Sequence, residues 1–293
     1  MGGWNFIDRT NMRWGKLVAK QYLGNKRWLC ECDCGNTTIV NSDKLPINSK
    51  TRAILSCGCN LISKKMPNQN YFKNIDTEEK AYILGFLAAD GNIENNDNTS
   101  QYSVKIAVNS IDRKLLEDIK ESFGTLADIK DFNATTELPQ GGECNSNFSS
   151  LTVHGKELVK DLDKLGVTSK KSLTLNVNYN EIPQELKKHF WRGLIDGDGT
   201  FGIYGKKKIF SMNITTSIYM CESTKQELLN IFPNFHISYY QAINCNQNTK
   251  RFIITTQKDV YDFLQYIYED SHIYLERKYK KFLEIKETFN SKL

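Results

Sequence analysis

The chain has 293 residues, 40% of them hydrophobic, and a formal net charge of +5. That length suits about two domains, and the absence of any apolar run approaching ~18 residues excludes a membrane-spanning helix. The opening "MGGWNFIDRTNMRWGKLVAK" has no apolar signal core, so a cytoplasmic, unsecreted protein is expected. The charge is uneven: residues 1–75 carry 12 Lys/Arg against 4 Asp/Glu, the remainder 27 against 30. A basic first quarter points to a polyanionic partner.

The first elements in chain order are two cysteine groups. "WLCECDCGNTTIV" and "LSCGCN" hold Cys30, Cys32, Cys34, Cys57 and Cys59. Thiolates one residue apart on a turn can face one ion, and two such turns make a tetrahedral zinc site. Gly35 and Gly58 suit the positive φ such turns need. Five cysteines exceed four ligands, so one is spare, and the spacing leaves open which. "TTIVNSDKLPINSKTRAIL" between them reads as short strands with a loop. Cys144, Cys221 and Cys245 are isolated and read as core or incidental residues. Over about residues 14–60 the pattern resembles the small zinc-ribbon-like modules that precede nuclease domains in phage proteins. That resemblance implies a structural Zn²⁺, because so small a core folds poorly alone, and an added grip on nucleic acid.

"LISKKMPNQNYFKNI" follows and reads as a basic tether, giving a module over 1–62 and a linker over 63–76. The chain then repeats itself. "AYILGFLAADGNIE" and "FWRGLIDGDGTFGIY" place the same helix ending 108 positions apart. Asp76 or Thr77 can cap the first helix, and Pro183 suits the first turn of the second. Both helices end at Asp-Gly, where the glycine is expected to turn left-handed. Gly85 and Ala89 lie four apart, as do Gly193 and Gly197, so each helix has a small-residue stripe that allows a close partner. Stripes facing each other would bring Asp90 and Asp198 side by side. "YSVKIAVNS", "SSLTVHG", "KIFSMNITTS" and "RFIITTQ" read as strands; "RKLLEDIKESFG", "KELVKDLDKLGV", "TKQELLNIF" and "KDVYDFLQYIYED" read as helices. Each copy is therefore α-β-β-α-β-β-α, over 77–178 and 179–293, in the α+β class.

From about residue 76 to 293 the two motifs and their flanks resemble a two-motif, monomeric LAGLIDADG homing endonuclease. The nine-letter motif falls on Ile83 to Gly91 and on Trp191 to Gly199. The resemblance implies a pseudo-symmetric duplicated fold with a DNA-binding β-saddle and metal-binding acids at Asp90 and Asp198. The sixth letter is Asp196 in the second copy but Ala88 in the first, and Arg192 replaces a small residue. The family also places a basic residue after the third helix. "LGVTSKKSLTL" offers Lys170 and Lys171, and "YLERKYKKF" offers Arg277 and Lys278; Lys171 lies 81 residues after Asp90, Lys278 80 after Asp198. Lys171 and Lys278 are chosen as catalytic, and Lys170 joins the DNA-binding set.

Two ionised aspartates packed together repel unless a cation sits between them. Helix C-termini, here with the carbonyls of Ala89 and Gly197, deepen a cation well of hard oxygens suited to Mg²⁺. Expected base- and phosphate-contacting residues are Lys105, Ala107 and Asn109 in the first copy, and Lys206, Lys208, Asn213, Thr215, Gln241 and Arg251 in the second. The expected partner is double-stranded DNA, cut once per strand by an enzyme that mobilises its own gene. An RNA-binding intron maturase and a non-catalytic zinc-ribbon regulator are the alternatives; glycoside hydrolysis would need an aromatic-lined cleft that the small-residue stripes do not build.

Overall fold

The computed structural model describes residues 6–47, 53–59, 68–137, 142–241 and 246–291. They form two compact units, 1–64 and 65–293. In unit 1, β1 (Arg13–Trp14), β2 (Leu17–Tyr22), β3 (Arg27–Cys32) and β4 (Thr37–Asn41) make one antiparallel sheet in sequence order. Its core is Leu17, Ala19, Trp28, Cys30, Cys32, Val40 and Leu45. A core of that size leaves folding dependent on a staple.

Unit 2 holds the repeat. The first half runs α1 (Glu78–Asp90), β5 (Asn92–Asn96), β6 (Gln101–Asn109), α2 (Arg113–Phe123), β7 (Lys130–Glu137), β8 (Glu143–His154) and α3 (Lys156–Lys164). The second runs α4 (Lys187–Asp198), β9 (Thr200–Tyr204), β10 (Ile209–Ser217), α5 (Ile218–Ile231), β11 (Ile237–Tyr240), β12 (Thr249–Ile254) and α6 (Gln257–Tyr268). The sheets have matching orders, β5-β6-β8-β7 and β9-β10-β12-β11. The α+β duplication expected from the sequence is therefore the fold. Alternation sets the register: Val104, Ile106 and Val108 of β6 are buried, as are Phe210, Met212 and Ile214 of β10, so the residues between them face outward.

The two motif helices form the seam. Every residue of α1 from Ala81 to Ala88 is buried, as suits a helix packed all round. A Cβ on Gly85 would lie 1.9 Å from the Phe190 carbonyl oxygen, and one on Gly193 2.0 Å from that of Tyr82. Glycine is required there because backbone meets backbone.

Four expectations need correction. Gly91 and Gly199 are extended, at φ −70° and −72°, not left-handed. Their glycines serve close approach: a Cβ would sit 2.6 Å from Leu87 O and 2.8 Å from Ile195 O. Pro183 precedes a 3-10 turn, Gln184–Leu186, and α4 begins only at Lys187. The supposed tether is partly core, since Tyr71, Phe72 and Ile75 are buried with the first half. The second half also carries an unforeseen helix, α7 (Glu276–Asn290). Thr77 does cap α1, its Oγ1 accepting from Lys80 N. Cys245 lies outside the described residues.

Candidate functional site

The seam decides where the acids go. Asp90 is the last residue of α1 and Asp198 the last of α4. At that end the small residues Ala89 and Gly197 meet: a Cβ on Gly197 would fall 2.3 Å from Ala89 Cβ and 3.5 Å from Asp90 Oδ2. The Asp90 carboxyl is pushed above its usual range, chiefly by desolvation, against the pull of Lys278, Lys171 and Arg277. Asp198 is pushed up to about 6 by desolvation and then by the charge of Asp90. Two partly desolvated carboxyls that repel each other form a site that favours a proton or a cation.

Both chosen lysines arrive at this place. Lys171 Nζ donates to Gly91 O, and Lys278 Nζ donates to Gly199 O at 2.6 Å. These are equivalent carbonyls, each following its acid. Lys278 also donates to Ile195 O at 2.5 Å and Asp196 O at 2.8 Å. Both ammoniums are buried, and desolvation lowers their pKa, for Lys278 to about 8. The rejected neighbours sit elsewhere: Lys170 is exposed, and Arg277 Nε donates to Asp112 Oδ2 at 3.0 Å. The sequence could not separate Lys171 from Lys170, because the choice depends on the left-handed turn at Lys170, φ 56°.

On the outer sheet faces, Lys105, Ala107 and Asn109 share the open side of β6, and Asn213 and Thr215 that of β10. Arg251 pairs across from both Thr215 and Tyr240. Three residues depart from the expected strand surface. Lys206 and Lys208 occupy the β9–β10 hairpin turn, not a strand. Gln241 lies beyond β11, accepting from Lys250 Nζ at 2.8 Å and donating to Asn246 O at 3.1 Å. The Asn109 side chain accepts from Ile111 N at 3.1 Å, capping the turn before α2. Sequence reading missed Phe132 and Phe148, stacked 5.7 Å apart on the open side of the first sheet, with Lys105 Nζ 5.4 Å from the Phe132 ring centre. Alternation in β7 was the available signal, but its polar neighbours hid it.

In unit 1 the structure brings four cysteines together and leaves one out. The sulfurs of Cys32, Cys34, Cys57 and Cys59 lie within 4.8 Å of one another, with Cys32–Cys59 at 3.7 Å and Cys34–Cys57 at 3.4 Å. Tetrahedral zinc with ~2.3 Å bonds needs sulfurs about 3.8 Å apart, so the donor set fits the ion. Gly35 and Gly58 take φ +85° and +101° in the two turns. Cys30 is fully buried on β3, its sulfur 3.9 Å from Trp28 O. Cys30→Ala is therefore expected to leave one zinc per chain by elemental analysis, whereas Cys34→Ser and Cys57→Ser each lose it and unfold unit 1. Zinc retained by Cys34→Ser would rule this ligand set out.

Residues 77–166 and 185–268 match the LAGLIDADG-like domain, once in each half. The chain belongs to that family. No curated protein sequence matches it. Among solved structures it is similar to the homing endonuclease I-WcaI bound to its DNA recognition sequence, at 16% identity over 74% of this chain and 93% of that one, with a TM-score of 0.46. It is similar too to I-GzeII in complex with its DNA target, at 15% identity over 72% and 91%, TM-score 0.47. Full-length DUF199/WhiA from Thermatoga maritima matches at 15% identity over 75% of this chain and 65% of that one, TM-score 0.44. Among the described residues no helix is long and apolar enough to cross a membrane.

Proposed function

We propose that the chain is a site-specific, Mg²⁺-dependent DNA endonuclease that hydrolyses one phosphodiester on each strand of a duplex. The observation that carries this reading is the acid pair at the crossing ends of α1 and α4, with a buried lysine on the equivalent carbonyl of each half. Asp90 and Asp198, with the carbonyls of Ala89 and Gly197, would hold the cation. Bound Mg²⁺ supplies a water of lowered pKa and relief of charge at the scissile phosphate. Lys171 would orient an attacking water, while Lys278, whose three N–H groups all go to carbonyls, would act through its charge, offsetting what develops on the phosphate. The close seam excludes water from one side of the acids, which strengthens each of these interactions.

The outer faces of the two sheets would lie along the DNA major groove, with Lys105, Asn213, Thr215 and Arg251 toward base edges. Lys206 and Lys208 in their hairpin, and Lys170 beyond α3, would contact phosphates and fix register. Zinc bound by Cys32, Cys34, Cys57 and Cys59 would hold unit 1 folded, adding its basic surface to DNA affinity. In this reading residues 1–62 are the accessory module, and the two halves of a monomeric enzyme follow, the first running to 178 and including Tyr71, Phe72 and Ile75 in its core, the second covering 179–293.

The test is cutting of a duplex library by the full chain with Mg²⁺, with Ca²⁺ and with EDTA, followed by sequencing of the ends. Staggered ends at one recurring site, present only with Mg²⁺, are expected. Tight duplex binding with no cutting in Mg²⁺ or Mn²⁺ between pH 7 and 9 would instead make the chain a binding protein.

A further inference from the structure

Two residues of the second motif have no counterpart in the first. Arg192 and Asp196 stand where α1 has Leu84 and Ala88, and they are 0% and 1% exposed. They lie four residues apart, on one face of α4. A buried guanidinium is tolerable only when its N–H groups are all partnered. Arg192 Nε donates to Ile273 O at 2.8 Å, and Nη1 to Ile267 O at 2.8 Å and His189 Nδ1 at 2.9 Å. Its Nη2 donates to Glu78 Oε1 at 2.6 Å, and that same carboxylate accepts from His272 N at 2.8 Å. One turn on, Asp196 Oδ2 accepts from Leu275 N at 2.7 Å and from Tyr82 Oη at 2.8 Å, and Oδ1 from Tyr268 Oη.

The partners are not scattered. Ile267, His272, Ile273 and Leu275 contribute backbone groups from the last turn of α6 and the 269–275 link to α7. Glu78 and Tyr82 come from α1, so both halves grip the same strap. Directly after it, Lys278 N donates to Leu275 O at 2.8 Å, and Lys278 Nζ reaches the carbonyls at the end of α4. In the first half Lys171 opens a 3-10 turn, Lys171–Leu173, with no long helix behind it, and Leu84 and Ala88 offer no polar atom to a strap.

We propose that Arg192 and Asp196, with Glu78, are positioning residues that fasten the 267–275 strap and thereby seat Lys278, and not Lys171, at the acid pair. This rests on reading that pair as a cutting centre. The two lysines are then held by independent means, and the two strands of a cut duplex depend on different parts of the chain. A purely architectural role would slow both strands alike.

The experiment uses the full chain as wild type, Arg192→Lys, Glu78→Gln and Lys278→Met. Amide hydrogen exchange without DNA comes first: residues 269–280 are expected to exchange about tenfold faster in Arg192→Lys, with α1, α4 and the first half unchanged. Glu78→Gln keeps the shape but weakens the ion pair, and carries the same test if Arg192→Lys does not fold. The second measurement follows each strand of the duplex recovered as the wild-type cut site, labelled at both 5′ ends. Nicked intermediate is expected to accumulate, with about a tenfold loss on the one strand that Lys278→Met also slows. Unchanged exchange in 269–280, or equal slowing of both strands, overturns the proposal. A wild type that cuts no duplex removes the nuclease reading instead, while the exchange result still decides whether Arg192 holds the strap.

Discussion

Asp198→Asn is expected to bind duplex within about threefold of wild type while cutting falls on the order of 10³-fold or more. The amide keeps the size of the carboxyl and loses the charge that makes the site attractive to a cation. Asp90→Asn should behave the same way, because both acids flank one gap. The accompanying change in stability separates catalysis from architecture. Asp198 has its pKa raised to about 6 from the ordinary 3.8, so the folded state disfavours the ionised form. The sign follows: stability is lost as pH rises from the unfolded value through about 6, and the cost is fully present at neutral pH. Asparagine removes that cost. In EDTA at pH 7.5 Asp198→Asn should melt higher by roughly 1 kcal/mol, the shift being discounted for the open side of the carboxyl, and the gain should vanish below about pH 4. Cutting by the wild type at subsaturating Mg²⁺ should rise with pH through about 6, as the proton leaves the site to the metal. An Asp198→Asn chain that melts lower and loses DNA binding would mean that the acid braces the helix end.

The duplicated architecture was legible because two independent signals coincided. Strand alternation placed Lys105 and Asn213 outward, and the small-residue stripes at 85/89 and 193/197 announced the seam. What stayed hidden depends on long-range contacts. Arg192 reads as an anomaly in a motif until Ile267, Ile273 and Glu78 are seen around it. Lys278 stands out in the sequence as a basic residue, but the helix α7 that carries it has no counterpart in the first copy to mark it, and the three carbonyls that bury its ammonium lie far away in sequence. The conformations of Gly91 and Gly199 were misjudged for a related reason. Asp-Gly at a helix end suggests a left-handed cap, but here the chain passes straight into β5 and β9, and the absent side chain matters for the preceding turn. The spare cysteine was likewise undecidable from spacing, since Cys30 and Cys32 both point to the core side of β3 and only the sulfur positions divide them.

The second large effect concerns the seam itself, and its neighbours predict which substitutions can be rescued. Gly193→Ala places a Cβ 2.0 Å from Tyr82 O and 2.8 Å from Phe86 N, both backbone atoms of α1. No side chain can give way, so the helices must part; the cost is expected at or beyond the upper end of the ~1–3 kcal/mol typical of overpacking. Parting the helices moves Asp90 from Asp198, so the surviving folded protein should also lose the cation binding proposed for that pair. Gly197→Ala differs in kind, because the obstructing atom is Ala89 Cβ, 2.3 Å away. Removing that methyl restores the space. The double variant Ala89→Gly/Gly197→Ala only exchanges the residues that the two halves present to each other, and the helix-propensity cost of glycine, about 1 kcal/mol, moves from α4 to α1 and cancels. In chemical denaturation Gly197→Ala alone should lose ~1–3 kcal/mol, and the double variant should regain most of it, giving a coupling of at least about 1 kcal/mol. Cutting should return with stability, since the ends of the helices are again at their native separation. Additive losses in the cycle would show that the stripes do not meet at 89 and 197, and the proposed cation site would lose the contact that brings its two acids together.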